Sequence, residues 1–411
     1  MGTCKHFGTC GGCTYLDIPY SEELAQKEKA LRDTLGPYDS LLEDIIPAPS
    51  STAYRNKMEL AFGDEGKDGN LALGIRKRRS FYEVATTEDC ALIPEDFKKI
   101  AKSTQDYFRK TGEAFFHRKR HIGSLRHLVL RRGEFTGELL ISLSTTSSLK
   151  SELPPLAAQL IKLPLDGQIV GILHSIHDGV ADVVKNENTR ILWGRDYFYE
   201  KICGLKFTIS AYSFFQTNSA GAEKLYDVVK CMVPYKSAGA EKLYDTVNPM
   251  TPYESDGLHG ENSTNRAGAL AYDLYCGTGT IAQILSPYFD KVTGVELNPD
   301  AIISAKENAK LNGITNCEFY AGDVLEALGT VNQTPDITVV DPPRDGLHPK
   351  ALAKLIALAP PRLIYVACKP ASLVRDLAAL TDAGYVPIHA VGVDMFPRTP
   401  HVELVMLMET K

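Results

Sequence analysis

Residues 271–280 read Ala-Tyr-Asp-Leu-Tyr-Cys-Gly-Thr-Gly-Thr, and they indicate the fold of the second half of the chain. A short apolar run leads into a turn that contains two glycines, and a helix is predicted from about Ile281. Glycines at such a turn let the backbone approach a ligand closely. A single Gly-x-Gly is weak evidence because many α/β turns contain one, so the prediction depends on the residues that follow.

An acidic residue follows the turn after about twenty positions. The apolar run 292–295 ends in Glu296, a carboxylate suited to binding ribose hydroxyls. A dinucleotide fingerprint requires a third glycine where Ala282 stands, so a nucleoside without a pyrophosphate fits better. This order of turn and acid resembles the Rossmann-like methyltransferases. The resemblance implies S-adenosylmethionine as the nucleoside and places Asp323 near its adenine, with a helix N-cap as the alternative role of Asp323.

Short β-rich runs alternate with helical stretches throughout this half of the chain. The runs lie at 270–276, 291–296, 336–341 and 362–368. Such alternation predicts a doubly wound parallel sheet, with the ligand beyond the carboxyl ends of the strands. We therefore predict an α/β, Rossmann-like, S-adenosylmethionine-binding catalytic domain over residues 206–411.

The first half of the chain has a different pattern. A helix is predicted from Ser21 to about Leu35, and apolar alternation predicts β-hairpins at 54–84 and 125–144. Residues 1–205 are therefore predicted to form a mainly antiparallel α+β domain.

One segment of the second half is duplicated. Residues 219–229 recur at 237–247 with one difference, and a polar stretch rich in Pro, Gly, Ser and Asn follows. Two copies do not make a solenoid. We interpret residues 219–268 as a duplicated helix with a linker, inserted into the second domain.

The composition is that of a globular protein, with 44% hydrophobic and 23% charged residues among 411. We expect a cytoplasmic protein without membrane contact, because no secretory signal and no apolar run of about 18 residues is found. The net charge of −6 disfavours a general nucleic-acid coat. Basic residues nevertheless gather in the first half, which favours an RNA-facing surface there. They are Arg76–Arg79, His117–His121, Arg126, Arg131 and Arg132.

Two strand ends of the second half carry candidate catalytic groups. The prolines of Asp341-Pro342-Pro343-Arg344 turn the chain out of the sheet and leave Asp341 at its rim. Arg344 stands where amino-group methyltransferases have an aromatic residue, which disfavours exocyclic-amine chemistry. Cys368 ends the next strand at the same rim. A buried cysteine is often only a small apolar side chain, but beside Lys369 and Arg344 the thiolate of a nucleophile is favoured.

These features resemble the RNA (uracil-5-)-methyltransferase family over nearly the whole chain. The resemblance implies that Cys368 adds to carbon 6 of a uracil, so that carbon 5 accepts the methyl group of S-adenosylmethionine. Glu403 then removes the carbon-5 proton. The motifs that match are 54–57, 73–76, 214–218, 273–279, 341–344, 368–370 and 401–403. The family's cofactor-contacting positions are Gln216, Tyr275, Thr280, Glu296 and Asp341.

Four cysteines of the first half form a group. Cys4, Cys10 and Cys13 fall within ten residues, and Cys90 follows. By number alone, four thiolates suit zinc and an iron-sulfur cluster equally. Their spacing resembles that of the family members with a four-iron cluster (4Fe-4S), which implies that the first domain holds this cluster as a second cofactor.

The target RNA is the least determined property. The cluster-bearing members of the family mostly act on 23S ribosomal RNA, so we expect that target, with transfer RNA as the alternative. Lys369 replaces the usual asparagine, and no β-barrel RNA-binding extension is recognised before Cys4; both leave the chemistry intact and the target open. The alternatives from other classes are a non-catalytic RNA-binding or redox-sensing protein and an amino-group methyltransferase. We expect a monomer that binds structured RNA and no DNA.

Overall fold

Residues 4–66, 69–181, 188–233, 268–324 and 333–411 are described by the computed structural model. Within these ranges the strands form two sheets of seven strands and one ribbon of two strands. Each large sheet is built from one half of the chain. None of the helices in these ranges is long and apolar enough to cross a membrane.

The first half of the chain forms a mainly antiparallel sheet. Its strands are β1 (Lys57–Asp64), β2 (Leu71–Arg76), β3 (Val84–Thr86), β4 (Leu125–Arg132), β5 (Glu138–Thr145), β6 (Gln168–Ile176) and β7 (Thr189–Gly194). They are arranged in the order β3-β2-β1-β4-β5-β6-β7. The predicted hairpins are the antiparallel pairs β1–β2 and β4–β5, whereas β5 and β6 run parallel.

Three helices accompany this sheet in the chain: α1 (Tyr20–Leu35), α2 (Glu95–Thr111) and α3 (Pro154–Leu160). The apolar stripe of α2, with Phe97, Ile100 and Phe108, is fully buried in the core of the first sheet. Its first turn is acidic and its last turn basic, which suits the helix dipole, and it ends at Gly112 with φ 75°. The sequence of α2 therefore specifies both the extent and the packing of the helix.

The helix α1 packs with the other half of the chain. Its residues Leu31 and Leu35 belong to the same buried cluster as Leu363 of the second sheet. The segment after α1 continues this contact, since Leu42 and Ile46 form isolated bridges to that sheet. The boundary proposed at residue 205 assigns α1 to the first domain, but its buried face is part of the second core.

A two-stranded ribbon, β8 (Tyr197–Ile202) and β9 (Leu205–Ser210), connects the halves. The second sheet then consists of β10 (Leu270–Leu274), β11 (Lys291–Glu296), β12 (Cys317–Ala321), β13 (Ile337–Val340), β14 (Arg362–Ala367), β15 (Tyr385–Val393) and β16 (Glu403–Thr410). The strand order is β12-β11-β10-β13-β14-β16-β15. The first five strands in this order are parallel, as predicted, and β16 is antiparallel to β14.

The helices of this half are α4 (Ser219–Cys231), α5 (Thr280–Leu285), α6 (Pro299–Leu311), α7 (Pro349–Leu358) and α8 (Pro370–Asp382). The first copy of the repeat is α4, whose Ala222, Leu225 and Val228 are buried in the core. This copy is therefore an integral helix of the fold. The second copy and the polar linker lie outside the described residues.

Because β14 is parallel to β10 while β16 runs the other way, the carboxyl end of β14 lies beside the amino end of β16. Residues that follow β10, β11, β13 and β14 thus meet the residues that precede β16. We call this edge of the second sheet the rim.

Candidate active site

The glycine turn forms one side of the rim. Three of its residues have positive φ: Tyr275 at 65°, Gly277 at 53° and Gly279 at 74°. A Cβ atom on Gly279 would lie 2.6 Å from the ring of Phe319, so Gly279 permits close packing of the turn. A Cβ on Gly277 would meet nothing within 4 Å. Gly277 therefore faces open space in which a ligand fits.

Two carboxylates flank the turn. Glu296 accepts hydrogen bonds from Gly277 N at 3.3 Å and from Asn298 N at 2.9 Å, so the acid at the end of β11 lies at the turn. Asp273 is fully buried, and its Oδ2 accepts a hydrogen bond from Ala282 N in α5 at 2.8 Å. Its Oδ1 has no hydrogen-bond partner among the described residues. Burial, with Asp341 and Glu296 nearby, raises the pKa of Asp273 to about 8.

Asp273 was not assigned a role from the sequence beyond its place in a motif. The signal that identifies it is a carboxylate inside an otherwise apolar strand, because such a group is costly to bury without partners. An orphaned oxygen at the cofactor turn indicates that a bound ligand supplies the missing contact.

Three other predicted cofactor-contacting residues lie around the same turn. The pKa of Tyr275 is raised by burial and by the nearby charges of Asp323, Asp376 and Glu296, so this tyrosine and two of the predicted acids are neighbours. Thr280 begins α5 and is buried directly after the turn. The structure thus brings together Tyr275, Thr280, Glu296 and Asp323.

Gln216 follows β9 on a loop that is held by a motif of the first half. Asn56 donates its side-chain N–H groups to Gln216 O at 3.0 Å and to Ser219 Oγ at 2.7 Å. Asn218 in turn donates to Met395 O at 2.9 Å, in the segment that leads to β16. These bonds connect the motifs at 54–57 and 214–218 with the segment that leads to the 401–403 motif.

The rim carries the predicted nucleophile and base on neighbouring strands. Ala367 and Leu404 are register partners in the β14–β16 pair. Cys368 follows Ala367 and Glu403 precedes Leu404, so both lie at the same end of the two strands. Asp341 is at the end of β13 beside them, and its backbone N–H donates to Leu274 O at 3.3 Å.

The free thiol of Cys368 is not activated by its surroundings. Burial and the nearby charges of Glu403 and Asp341 together raise the pKa of Cys368 to about 11, although the nearby charge of Arg344 lowers it. The prediction that basic neighbours favour the thiolate of Cys368 is therefore wrong. The physical reason is that two carboxylates and desolvation outweigh one guanidinium.

The pKa values of the two carboxyls, Asp341 and Glu403, are also raised. Burial and the charge of Asp341 raise the pKa of Glu403 to about 8. Burial raises the pKa of Asp341 to about 7. Groups that exchange protons near neutrality are suited to general acid-base catalysis.

A histidine and an arginine complete the rim. Arg344 Nη2 lies 3.4 Å from His401 Nδ1. Burial, together with Arg344, Lys27 and Arg55, lowers the pKa of His401, so its ring is neutral near pH 7. Arg344 therefore provides the positive charge on this side of the rim.

Two of the basic residues predicted to face RNA lie inside the protein. Arg126 is buried and donates to the carbonyl groups of His177, Gly179 and Ala181. Arg131 is buried as well, and burial lowers its pKa to about 10. The prediction fails because β4 is a central strand whose side chains are buried on both faces of the sheet.

Arg131 instead holds the chain before the 214–218 motif. Its guanidinium donates to the carbonyl groups of Ser210 at 2.9 Å, Ala211 at 3.3 Å and Ser213 at 2.6 Å. Arg132, half-buried, is paired with Asp96 at 3.6 Å and is not a free surface cation. The exposed members of the predicted basic surface are Arg78, Arg79, Lys119, Arg120 and His121.

The four grouped cysteines of the first half are electrostatic neighbours. Burial and the nearby thiols of Cys90, Cys10 and Cys4 together raise the pKa of Cys13 to about 12. Among the residues that the structure describes, however, no three His, Cys, Asp or Glu side chains are arranged so that they hold a metal ion. The thiols are thus gathered in one place without the geometry of a metal site.

The open glycine turn, the flanking acids and the parallel sheet are typical of S-adenosylmethionine-dependent methyltransferases. A model of the tRNA (Uracil-5-)-methyltransferase family matches residues 261–411. Uncharacterized RNA methyltransferases of Clostridium tetani and Caldanaerobacter subterraneus are each 40% identical to this chain, over 99% of it and 84% of their own length. The chain belongs to the RNA (uracil-5-)-methyltransferase family, and it is an S-adenosylmethionine-dependent RNA methyltransferase.

A solved structure supports the same conclusion. The tRNA (uracil-54, C5)-methyltransferase of Pyrococcus abyssi, in complex with S-adenosyl-L-homocysteine, superposes with a TM-score of 0.73 at 26% identity. The match covers 97% of this chain and 86% of that one. It therefore includes both sheets.

Proposed function

We propose that this enzyme methylates carbon 5 of a uridine in structured RNA through a covalent bond between Cys368 Sγ and carbon 6 of the uracil. The single observation that carries the proposal is the placement of Cys368 and Glu403 at the same end of paired strands β14 and β16. A nucleophile and a base must flank one ring for this chemistry, and the rim supplies both within reach of the glycine turn. The target base must leave its stack to enter this site.

S-adenosylmethionine supplies the methyl group when bound. The chain's residues fit this cofactor, because Gly277 leaves open space and Asp273 Oδ1 lacks a partner among the described residues. Glu296, at the turn, is the group that would bind the ribose hydroxyls. Gln216, Tyr275, Thr280, Asp323 and Asp341 are proposed as the remaining contacts.

The side chains at the rim account for the proton transfers of the proposed reaction. Asp341 accepts the Cys368 proton, the sulfur adds to carbon 6, and carbon 5 becomes nucleophilic enough to take the methyl group, with S-adenosylhomocysteine as the leaving group. Glu403 then takes the carbon-5 proton, the carbon–sulfur bond breaks, the ring double bond returns, and the released thiolate recovers its proton from Asp341. Because Cys368 begins as a thiol, the raised pKa values of Asp341 and Glu403 make these groups effective proton acceptors near neutral pH.

We propose 23S ribosomal RNA as the target. The support is the spacing of Cys4, Cys10, Cys13 and Cys90, which resembles the members that act there. Transfer RNA is the second candidate, because the matched Pyrococcus abyssi enzyme is a tRNA uracil-54 methyltransferase. Incubation of the purified enzyme with tritiated S-adenosylmethionine and either RNA, followed by nucleoside analysis, tests both. Label in 5-methyluridine of one RNA identifies the target, and label on an exocyclic nitrogen would contradict the proposed reaction.

We further propose that Cys4, Cys10, Cys13 and Cys90 bind a 4Fe-4S cluster. The support is four neighbouring thiols, whose soft sulfur donors suit iron-sulfur clusters. Anaerobic reconstitution with iron and sulfide should give about four irons per chain and a broad visible absorption. Replacing Cys13 with Ser should abolish that absorption, whereas the matched change Cys203→Ser should leave it intact. Equal iron contents in both variants would contradict the assignment.

A further inference from the structure

Two turns of the first sheet meet through stacked aromatic rings. We call residues 77–82 the Phe81 turn and residues 117–122 the His117 turn. The rings of Tyr82 and His117 are stacked, with centroids 4.2 Å apart and planes 24° from parallel. Phe115 lies beside Tyr82 at 6.0 Å. The stacked pair joins the two turns into one surface.

This surface presents large apolar side chains to solvent. Phe81 directly precedes Tyr82 and is 69% exposed. Ile122 is 57% exposed, and its carbonyl accepts a hydrogen bond from His117 N at 2.8 Å, so it borders the same stacked pair. Burying an aromatic ring is favourable, so a phenylalanine left this open beside a second exposed apolar residue indicates a surface that is covered by a partner.

Exposed cations surround the two apolar side chains. Arg78 and Arg79 lie in the Phe81 turn, and Lys119 and Arg120 lie in the His117 turn. The neighbouring acid Glu83 is paired with Lys77 at 3.1 Å. The surface is therefore positive in a chain whose net charge is −6. Aromatic rings set among arginines and lysines are suited to RNA, because phosphates bind the cations while an unpaired base stacks on the ring.

The position of this surface relative to the rim follows from backbone contacts. Arg78 N donates to Thr9 O at 2.8 Å, so the Phe81 turn lies against the cysteine-rich segment. A few residues later, Thr14 N donates to Arg398 O at 2.7 Å, five residues before Glu403. One segment of the chain thus connects the Phe81 turn with the rim. The two sites are separate and are connected by this segment.

We propose that Phe81, supported by the stacked pair of Tyr82 and His117, binds an unpaired base of the RNA other than the target uracil. The cations of the two turns bind the adjacent phosphates. This inference rests on the proposed function, which identifies RNA as the substrate. It adds a second base-binding site, which selects RNAs with an unpaired nucleotide at a fixed distance from the target.

The test uses the full-length enzyme and two probes, single-stranded oligouridine of twelve nucleotides and a fully paired RNA duplex of the same length. Fluorescence anisotropy gives the Kd of each probe for the wild type, Phe81→Ala, Phe81→Trp and Phe135→Ala. Phe135 is the matched control, because it is another exposed phenylalanine, 46% accessible, on the turn between β4 and β5. Phe81→Ala should weaken binding of the single strand about 5- to 150-fold, the range for one stacked base. Phe81→Trp should restore it, and Phe135→Ala should leave it unchanged.

A tryptophan at position 81 also reports stacking directly. In a Trp193→Phe background it is the only tryptophan of the chain, since the natural sequence has one. Its fluorescence should be quenched by oligouridine but not by the duplex. Absence of quenching, or equal Kd values for Phe81→Ala and the wild type, would overturn the proposal. Preferential binding of an acidic peptide over oligouridine at this surface would overturn it as well.

Methylation measured in parallel separates this inference from the proposed function. If the wild type forms 5-methyluridine while Phe81→Ala leaves oligouridine binding unchanged, the second site is refuted and the proposed function stands. If Phe81 governs binding but no RNA is methylated, the proposed function fails and the base-binding site remains. With both correct, Phe81→Ala should raise the KM for RNA and leave kcat near its wild-type value.

Discussion

Cys368 and Glu403 lie on neighbouring antiparallel strands, one residue beyond the register pair Ala367–Leu404. The sheet itself therefore fixes the thiol of Cys368 relative to the carboxyl of Glu403. This placement has two consequences for the proposed chemistry. The thiol is held beside a carboxyl that raises its pKa, and the same carboxyl is available to remove a proton from a ring attached to the sulfur.

The charge on Asp341 should set the pH dependence of product release. Glu403 acts as a base only when ionised, and its pKa is raised to about 8 by burial and by Asp341. We predict that the single-turnover rate rises as the pH increases through this value. Asp341→Asn removes the contribution of Asp341 to this pKa and should shift the midpoint of the rate profile to lower pH. The exposed change Asp345→Asn should leave the midpoint in place, and a midpoint unmoved by both variants would refute the coupling.

The free energy of unfolding should also depend on whether Glu403 is protonated. The pKa of Glu403 is raised in the folded state, so the folded protein binds more protons than the unfolded chain and stability falls as the pH rises from about 4.5 to about 8. Glu403→Gln removes this loss. We predict that the variant has a higher Tm than the wild type at pH 8 and that the difference shrinks towards pH 4.5. Differential scanning calorimetry across this range measures it, and a difference that grows at low pH would have the wrong sign.

A buried ion cluster should stabilise the segment before β16. Lys27 Nζ lies 2.7 Å from Glu23 and 2.8 Å from Asp394, and all three side chains are inaccessible to solvent. Lys27→Met leaves Asp394 without its cation, while Glu23 keeps its ion pair with Arg398 at 3.4 Å, and the change should cost about 3–5 kcal/mol of unfolding free energy. The control Arg32→Met, which breaks an exposed pair with Glu28 on the same helix, should cost less than about 1 kcal/mol. Urea unfolding of both variants gives the comparison, and equal losses would contradict a special role for the buried cluster.

Gly277 should be required for cofactor binding rather than for folding. Its φ of 53° strains any other residue, and its open side faces the proposed ligand. Gly313 is a matched control, because its φ is 67° and a Cβ there also meets nothing within 4 Å. Both Gly→Ala variants should lose about 1 kcal/mol of stability through backbone strain. Titration calorimetry should show S-adenosylhomocysteine bound at least tenfold more weakly by Gly277→Ala alone, and equal affinity in both variants would disprove contact at this turn.

The local patterns predict four of the five parallel strands, because β10, β11, β13 and β14 are each a short apolar run with a helix after it; β12 has no such run and is not predicted. The same reasoning places Asp341 and Cys368 at one edge, since residues after parallel strands meet there. The packing of α1 against the second sheet is not predictable in this way. Its buried face combines Leu31 and Leu35 with Lys27, and the burial of that lysine depends on its ion pairs with Glu23 in the same helix and with Asp394, 367 residues away.

The predictions for the arginines of β4 and for the thiol of Cys368 are wrong for a related reason. Arg131 lies in a strand that alternates like a half-exposed one, but the loop at 210–213 covers it and supplies carbonyl acceptors. Cys368 has basic neighbours in sequence, whereas its neighbours in space include two carboxyls. Burial and charge at a site depend on elements that are distant in the chain, and a single sequence does not reveal them.

The central claim is that Cys368 forms a covalent bond to the uracil and that Glu403 is needed to release it. The most direct measurement is intact mass spectrometry of Glu403→Gln after incubation with substrate RNA and S-adenosylmethionine, with peptide mapping of the linked residue. The predicted result is a methylated RNA adduct on Cys368 that is absent from Cys368→Ala and from Glu409→Gln, the control at the other end of β16. Release of methylated RNA by Glu403→Gln at the wild-type rate, or an adduct on another cysteine, would contradict the account.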